Sequence, residues 1–247
     1  MVLRAENVSR RFFRQRKGSN FFFAVKNVTL ELRAGTLTEI TGRSGSGKST
    51  LLNLLAGLLE PTEGQVFLDG DALYGLSDGD RSRLRNEKLG VIPQGQTALQ
   101  SLTVLENVLL PGRMYGNSCP EARGEELLEK VGIAALRDAY PAQLSGGELR
   151  RLAIARALAL RPGVLLADEP TGDLDDENTR AVLSLLRKSA DAGAAVLLVT
   201  HEPEARAYAD RHYCMDGGVL GEACAIETEG KATFNPAGRE GDHTLAP

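Results

Sequence analysis

Residues 42–49 have the types and spacing of a loop that binds phosphate groups. They read Gly-Arg-Ser-Gly-Ser-Gly-Lys-Ser and lie between a predicted strand at residues 37–41 and a predicted helix at residues 48–59. Glycines in such a loop let successive backbone N–H groups converge on phosphate oxygens at the positive end of the helix dipole. The Lys48 side chain adds a cation for the β- and γ-phosphates, and the Ser49 hydroxyl suits Mg²⁺. The sequence therefore predicts a nucleoside triphosphate site with contacts from Gly42, Ser44, Gly45, Ser46, Gly47, Lys48, Ser49 and Thr50.

Two adjacent carboxylates follow a second apolar segment. Residues 164–167 predict a buried strand, and Asp168 and Glu169 come directly after it. Ligands gather at the carboxyl ends of strands in a parallel sheet. We expect Asp168 to hold Mg²⁺ through water and Glu169 to polarise the attacking water. The alternative is a pair of surface acids at a strand end.

Residues 144–148, Leu-Ser-Gly-Gly-Glu, predict a helix start that can receive an anion. Ser145 and Glu148 have the spacing of a capping box, and two glycines leave the first turn without side chains. Glycine weakens a helix by about 1 kcal/mol per residue, so two in one turn need a reason. The close approach of a phosphate group supplies that reason. A plain capped helix is the alternative.

Together these motifs resemble the nucleotide-binding subunit of an ATP-binding cassette (ABC) transporter, whose family signature is Leu-Ser-Gly-Gly-Gln. Here Glu148 stands in place of the glutamine and preserves the cap. The resemblance spans roughly residues 2–220. It implies ATP and Mg²⁺ as substrate and cofactor, and it assigns nucleotide contacts to Ser145, Gly146, Gly147 and Glu148.

The resemblance assigns roles to residues that carry no signal alone. His201, after a predicted strand at residues 194–200, occupies the position of a switch histidine that contacts the γ-phosphate. Gln94 resembles the glutamine that senses Mg²⁺ and the attacking water. Residues 171–175 resemble the family's D-loop, with Asp175 near the nucleotide, and Phe12 falls where an aromatic ring stacks on adenine. The alternative candidates for the ring that stacks on adenine are Phe13, Phe21, Phe22 and Phe23. The implied catalytic set is Lys48, Gln94, Glu169 and His201, and the implied metal ligands are Ser49, Gln94 and Asp168.

The resemblance also implies partners. Two cassettes of this family pack head to tail, so Ser145 of one copy faces the ATP held by Lys48 of the other. A separate membrane permease would hold the chain at the cytoplasmic face of the membrane. Residues 98–115 are the expected docking stretch, and the alternative for their apolar side chains is the protein core; these are Leu102, Leu105, Val108, Leu109 and Leu110. No nucleic acid partner is expected. Residues 140–148, 167–175 and 199–203 resemble macrolide-exporter, lipoprotein-releasing and antimicrobial-peptide-resistance cassettes, which implies export of a peptide, lipid-linked or drug-like cargo.

The composition agrees with a folded protein of one large or two small domains. The 247 residues carry 29 Lys+Arg and 33 Asp+Glu, giving a net charge of −4, which argues against nucleic acid as the main partner. Three cysteines form no Cys-x-x-Cys pair, which favours a reduced cytosolic setting. No apolar run reaches the roughly 18 to 20 residues needed to cross a bilayer, and residues 1–6 predict no secretory signal.

The predicted elements place these motifs on an α/β fold. Strands at residues 37–41, 89–93, 164–167 and 194–200 alternate with helices, as in a parallel sheet. We expect a RecA-like P-loop NTPase core at about residues 1–94 and 161–222, with an N-terminal antiparallel β subdomain and an inserted α-helical signature subdomain at about residues 95–160. Residues 223–247 predict a flexible tail.

Other ABC ATPases are the alternatives to a transporter subunit. Translation factors of this type carry two cassettes in one chain, and DNA-repair relatives need long coiled coils or zinc-binding cysteine pairs. A regulatory cassette without turnover would show a degraded site, whereas Asp168, Glu169 and His201 are all present. Asp173, the basic run at residues 14–17 and the Gly95-Gln96 pair are unusual, and the cargo stays open.

Overall fold

The computed structural model describes residues 1–13, 21–172, 174–223 and 234–235. Its strands are β1 (Val2–Phe13), β2 (Phe21–Arg33), β3 (Leu37–Thr41), β4 (Glu63–Leu68), β5 (Asp71–Ala72), β6 (Leu89–Ile92), β7 (Val164–Asp168), β8 (Ala195–Val199), β9 (Arg211–Asp216), β10 (Val219–Ala223) and β11 (Phe234–Asn235). Its α-helices are α1 (Lys48–Leu55), α2 (Asp78–Lys88), α3 (Val104–Arg113), α4 (Glu121–Lys130), α5 (Gly146–Ala157) and α6 (Asp176–Asp191).

The central sheet has the order β11-β10-β9-β3-β8-β7-β6. The strands from β9 to β6 are parallel, and β10 and β11 add antiparallel pairs at one edge. Every residue of β7 and β8 is buried, as expected for strands covered on both faces. Along β7, Leu165 and Ala167 pack into the cluster formed with α3 to α6, whereas Val164 and Leu166 pack with α1 and the N-terminal strands.

A second sheet is antiparallel and has the order β2-β1-β4-β5. The alternating residues Val28, Leu30 and Leu32 of β2 are buried, as their pattern predicts. The hairpin between β4 and β5 turns at Asp69 and Gly70, both with positive φ, which matches the primed turns that such hairpins favour. This sheet and the parallel core confirm the predicted ABC-type α/β architecture.

The helices between β6 and β7 form the predicted inserted layer. α3 begins with a capping box between Thr103 and Glu106, and the buried Asn107 amide donates to the carbonyls of Leu99, Leu102 and Thr103. Three residues of the expected docking stretch, Leu105, Val108 and Leu109, are buried in the core. The expectation that they form a docking surface is therefore wrong, because their side chains hold α3 against its neighbours.

Several element bounds differ from those predicted. The helix expected at residues 48–59 ends at Leu55. The polar helix α2 gives no apolar periodicity, since none of its residues is buried, and its Ser77 cap is the main local signal. Across the described ranges, no helix has both the length and the apolar character needed to cross a membrane. Asp173, the basic run 14–17, Cys224 and most of residues 223–247 lie outside the described residues.

Candidate nucleotide-binding site

One cavity of about 850 Å³ opens at the carboxyl edge of the parallel strands. The loop after β3, Gln94 after β6, the two acids at the end of β7 and His201 after β8 all reach it. Ligands are expected at this edge of an α/β sheet. The lining residues are Phe12, Phe22, Ala24, Gly42, Ser44, Gly45, Gly47, Lys48, Ser49, Thr50, Gln94, Arg150, Asp168, Glu169, Gly172 and His201.

The loop before α1 has a backbone that only glycine fits at two positions. Gly42 and Gly47 have φ values of 145° and 109°, and an added Cβ atom would lie 2.2 Å from the Met215 carbonyl oxygen and 2.0 Å from that of Ala24, respectively. The nearly buried Lys48 ammonium donates to the carbonyls of Gly42 at 2.7 Å and Arg43 at 3.0 Å. The loop thus holds the Lys48 ammonium against its own backbone carbonyls, where the side chain lines the cavity.

The side-chain oxygen atoms of Ser49 and Asp168 suit Mg²⁺. Burial raises the pKa of the Asp168 carboxyl above its ordinary value, and a hydrogen bond from Ser49 opposes that rise. The buried Oδ1 of Asp168 and Oγ of Ser46 have no hydrogen-bond partner among the described residues. No group of three or more His, Cys, Asp or Glu side chains in the described ranges could hold a metal by itself. One carboxylate with a hydroxyl is the kind of partial shell that Mg²⁺ completes with water and phosphate oxygens, so these residues fit the ion.

Glu169 and His201 form a direct pair at the cavity. Oε2 of Glu169 lies 2.9 Å from Nδ1 of His201, and the Glu169 side chain is 14% exposed against 70% for His201. Glu169 has a φ of 49°, which is uncommon for a residue with a side chain. Its backbone N–H donates to the Val199 carbonyl at 2.8 Å, which fixes the strained turn beside β8. Such strain concentrates where a side chain must be aimed.

The pKa of His201 should be higher than that of an ordinary histidine. The hydrogen bond to Glu169 raises it first, followed by the negative charge of that residue. The stabilisation from this pair is fully present below pH about 6.5 and is lost as pH rises through the folded-state pKa. NMR titration of the three histidine rings should place His201 above about 6.5 and show a downward shift in the Glu169→Gln variant. An unchanged value in that variant would contradict the pairing.

The signature residues lie outside the cavity of the single chain. Ser145 caps α5 by accepting from the Glu148 N–H at 3.3 Å, while the Glu148 carboxylate accepts from the Ser145 N–H at 2.7 Å. Gly146 is exposed, and beyond its chain neighbours and the nearby backbone of its own helix, a Cβ atom there would meet no atom of the described chain within 4 Å. Asp175 also stands away from the cavity, where it caps α6 by accepting from the Asn178 N–H. One chain therefore does not bring Ser145, Gly146, Gly147, Glu148 or Asp175 to the site.

Two phenylalanine rings stand at the adenine end of the predicted site. Phe12 and Phe22 both line the cavity, and their ring centroids are 5.9 Å apart. The Arg10 guanidinium lies 5.0 Å from the centre of the Phe12 ring. Phe13 is 83% exposed, and neither it nor Phe21 lines the cavity. This geometry favours Phe12 and adds Phe22, which pairs with it across the two strands.

Sequence reasoning missed Arg150 as a residue of the site. It lies on α5 and lines the cavity with Gln94, Asp168 and Glu169. Its guanidinium donates to the carbonyls of Pro93 at 2.7 Å and Gln94 at 2.6 Å. Its only sequence signal is its position two residues after the signature, which does not reveal where a long side chain reaches.

Comparisons with known proteins identify the family and the fold of the chain. A family model described as ABC transporter matches residues 25–172. The lipoprotein-releasing system ATP-binding protein LolD of Aquifex aeolicus is 42% identical over 228 residues, covering 91% of this chain and 99% of that protein. LolD of Bordetella pertussis is 43% identical over 199 residues, covering 79% and 86%. The ATP-binding cassette MJ0796, solved as a dimer bound to ADP and phosphate after hydrolysis, is 33% identical, has a TM-score of 0.82, and is matched over 91% of this chain and all of that one.

The relatives and the cavity lead to one conclusion. ATP and Mg²⁺ are the substrate and cofactor of this family. The glycine-rich loop, the Asp168–Glu169 pair and His201 lie at one edge of the parallel sheet. The chain therefore belongs to the ABC transporter family, as an ATP-binding and ATP-hydrolysing cassette that powers transport.

Proposed function

We propose that two copies of this cassette, or this cassette and a similar one, close on two ATP molecules at sites that they share. The observation that carries the proposal is the exposed, uncrowded Gly146 at the start of α5, outside a cavity that holds the other motifs. A helix start with free N–H groups and no side chains suits a phosphate brought by a partner. The dimeric form reported for MJ0796 supports the same arrangement.

Each shared site contains a base, two groups that stabilise negative charge, and ligands for Mg²⁺. The Glu169 carboxylate accepts a proton from the water that attacks the γ-phosphate in line. The Lys48 ammonium and the His201 ring stabilise the charge that develops on the γ-phosphate oxygens. When bound, Mg²⁺ would neutralise part of the phosphate charge. Its proposed protein ligands are Ser49, Asp168 and Gln94.

The remaining contacts position the nucleotide. Phe12 stacks on adenine, with Phe22 beside it. The backbone of the glycine-rich loop cradles the phosphates, and the partner's signature contacts the same ATP from the other side. These contacts come from Gly42, Ser44, Gly45, Ser46, Gly47, Thr50, Ser145, Gly146, Gly147, Glu148 and Asp175.

At the level of the cell, we propose that the chain works at the cytoplasmic face of the membrane, held by a separate permease. The cargo is a lipid-linked substrate, a class supported by the lipoprotein-releasing names of the relatives. The proposed division is a core at about residues 1–94 and 161–222, a helical subdomain at about 95–160, and a tail from 223. The exposed Leu99, Met114 and Tyr115, rather than the buried face of α3, are the candidates for permease contact.

A Gly146→Val variant tests the shared site. The monomer has room for the side chain, and valine is a better helix former than glycine, so the melting temperature should stay the same or rise slightly. Binding of a fluorescent ATP analogue to the monomer should also be unchanged. ATP turnover should fall at least about 10-fold, because the side chain occupies the space for the partner's phosphate. Turnover equal to that of wild type would overturn the assignment of α5 to a shared site.

A further inference from the structure

The Arg150 side chain links helix α5 to the loop that carries Gln94. Its two terminal nitrogens donate to the carbonyls of Pro93 and Gln94 at 2.7 and 2.6 Å. A planar guanidinium that bonds two successive carbonyls fixes the direction of that backbone as well as its distance. The loop after β6 therefore moves with α5 as long as these bonds persist.

The same guanidinium also lies near the segment that follows Glu169. A Cβ atom added to Gly172 would lie 3.9 Å from Nη2 of Arg150 and 3.5 Å from the Glu169 carbonyl oxygen. Arg150 is also among the positive groups that lower the pKa of Asp168 against the effect of burial. Arg150 thus lies between the Gln94 loop and the segment that follows Glu169.

Helix α5 reaches toward two nucleotides in the proposed dimer. Ser145 at its start faces the partner's ATP, whereas Arg150 lines the cavity for the chain's own ATP. Five residues separate them, which is about 7.5 Å along a helix. A helix turns as one rigid element over that length, so a shift at its start also shifts the Arg150 guanidinium.

We propose that Arg150 is a positioning residue that couples the two ATP sites. When the start of α5 closes on the partner's ATP, the two Arg150 bonds set the Gln94 loop of its own site for hydrolysis. The proposal rests on the shared sites proposed above. Arg150 acts through the backbone of Pro93 and Gln94 and not by contact with the reacting atoms.

Arg156 provides a matched control on the same helix. Its guanidinium donates to the Thr97 carbonyl at 2.7 Å and to the Thr97 hydroxyl, so it also ties α5 to the loop after β6. It does not line the nucleotide cavity. Loss of Arg156 therefore removes comparable bonds without touching the Gln94 backbone.

Full-length wild type, Arg150→Met, Arg150→Lys and Arg156→Met are compared in steady-state ATPase assays over a range of ATP concentrations. Arg150→Met should lower kcat by roughly 10-fold, within the usual range of coupling effects, and bring the Hill coefficient from above 1 toward 1. KM for ATP should change less than about 3-fold, because the bonds do not hold the nucleotide. Arg150→Lys keeps the charge but offers one nitrogen in place of the planar fork that bonds the two carbonyls along fixed directions, so it should restore only a small part of kcat. Arg156→Met should lower the melting temperature and keep the wild-type Hill coefficient.

Three results would overturn the coupling role: a wild-type kcat and Hill coefficient in Arg150→Met, full rescue by Arg150→Lys, or the same kinetic change in Arg156→Met. Light scattering of the Glu169→Gln variant with ATP separates this failure from that of the proposed function. If Glu169→Gln forms no ATP-dependent dimer, the proposal of shared sites is itself contradicted. If the dimer forms and any of the three results is also observed, only the coupling role of Arg150 is contradicted.

Discussion

Replacing Glu169 with glutamine should lower the turnover number by about 10²- to 10⁴-fold, the usual contribution of a general base. Glutamine has nearly the same shape, so the strained backbone at this position and the contact with His201 can persist. It cannot accept a proton from water. ATP should therefore still bind, and the two cassettes should close without opening again.

Light scattering and a single-turnover assay measure both parts of this result. The Glu169→Gln chain with ATP and Mg²⁺ should elute at twice the monomer mass, whereas wild type should return to monomer as ATP is consumed. Glu87→Gln serves as the control, because Glu87 is exposed on α2 and does not line the cavity. Normal turnover by Glu169→Gln would remove this residue from the role of base.

Replacing Lys48 with alanine should abolish tight ATP binding. Lys48 is only 9% exposed, and its ammonium bonds two carbonyls of its own loop. Its loss therefore removes a cation at the phosphate position and leaves those carbonyls unpaired. Charge-assisted bonds contribute about 1.5–3 kcal/mol each, which corresponds to an increase of about 100-fold in the Kd for ATP.

Titration with a fluorescent ATP analogue measures that Kd. Lys26→Ala is the control, because the Lys26 side chain is exposed on β2 and its backbone alone bonds Gly218. The control should bind ATP as wild type does. A Kd for Lys48→Ala within about 3-fold of wild type would contradict the assignment of the loop.

Features that depend on local chemistry were predictable from the sequence. Gly42 and Gly47 are favoured because the loop backbone has a positive φ at both positions. Ser145 with Glu148 forms the capping box that its spacing predicts, and Asp69-Gly70 makes the turn of a hairpin. In each case the residue type itself restricts the backbone, so a motif of a few neighbouring residues is enough to predict the local structure.

Features that depend on distant backbone atoms were not predictable in this way. Arg150 bonds carbonyls 57 and 56 residues earlier in the chain, and every residue type offers a carbonyl. Phe22 reaches the cavity through its pairing with Phe12, which follows several register shifts between β1 and β2. Leu105, Val108 and Leu109 have the pattern of an apolar helix face, but the pattern alone does not say whether that face meets the core or a partner.

Mixing two inactive chains is the most direct measurement of the shared site. Lys48→Ala lacks the phosphate lysine, and Gly146→Val blocks the signature helix. If each site takes its loop from one copy and its signature from the other, a mixed pair contains one site with no defect and one with both. An equimolar mixture should then recover activity, since half of the pairs are mixed and each has one intact site. Independent sites would give about a quarter of wild-type ATPase activity, and the coupling proposed for Arg150 would lower that fraction. Activity in the mixture no greater than the mean of the two separate chains would contradict a site shared between copies.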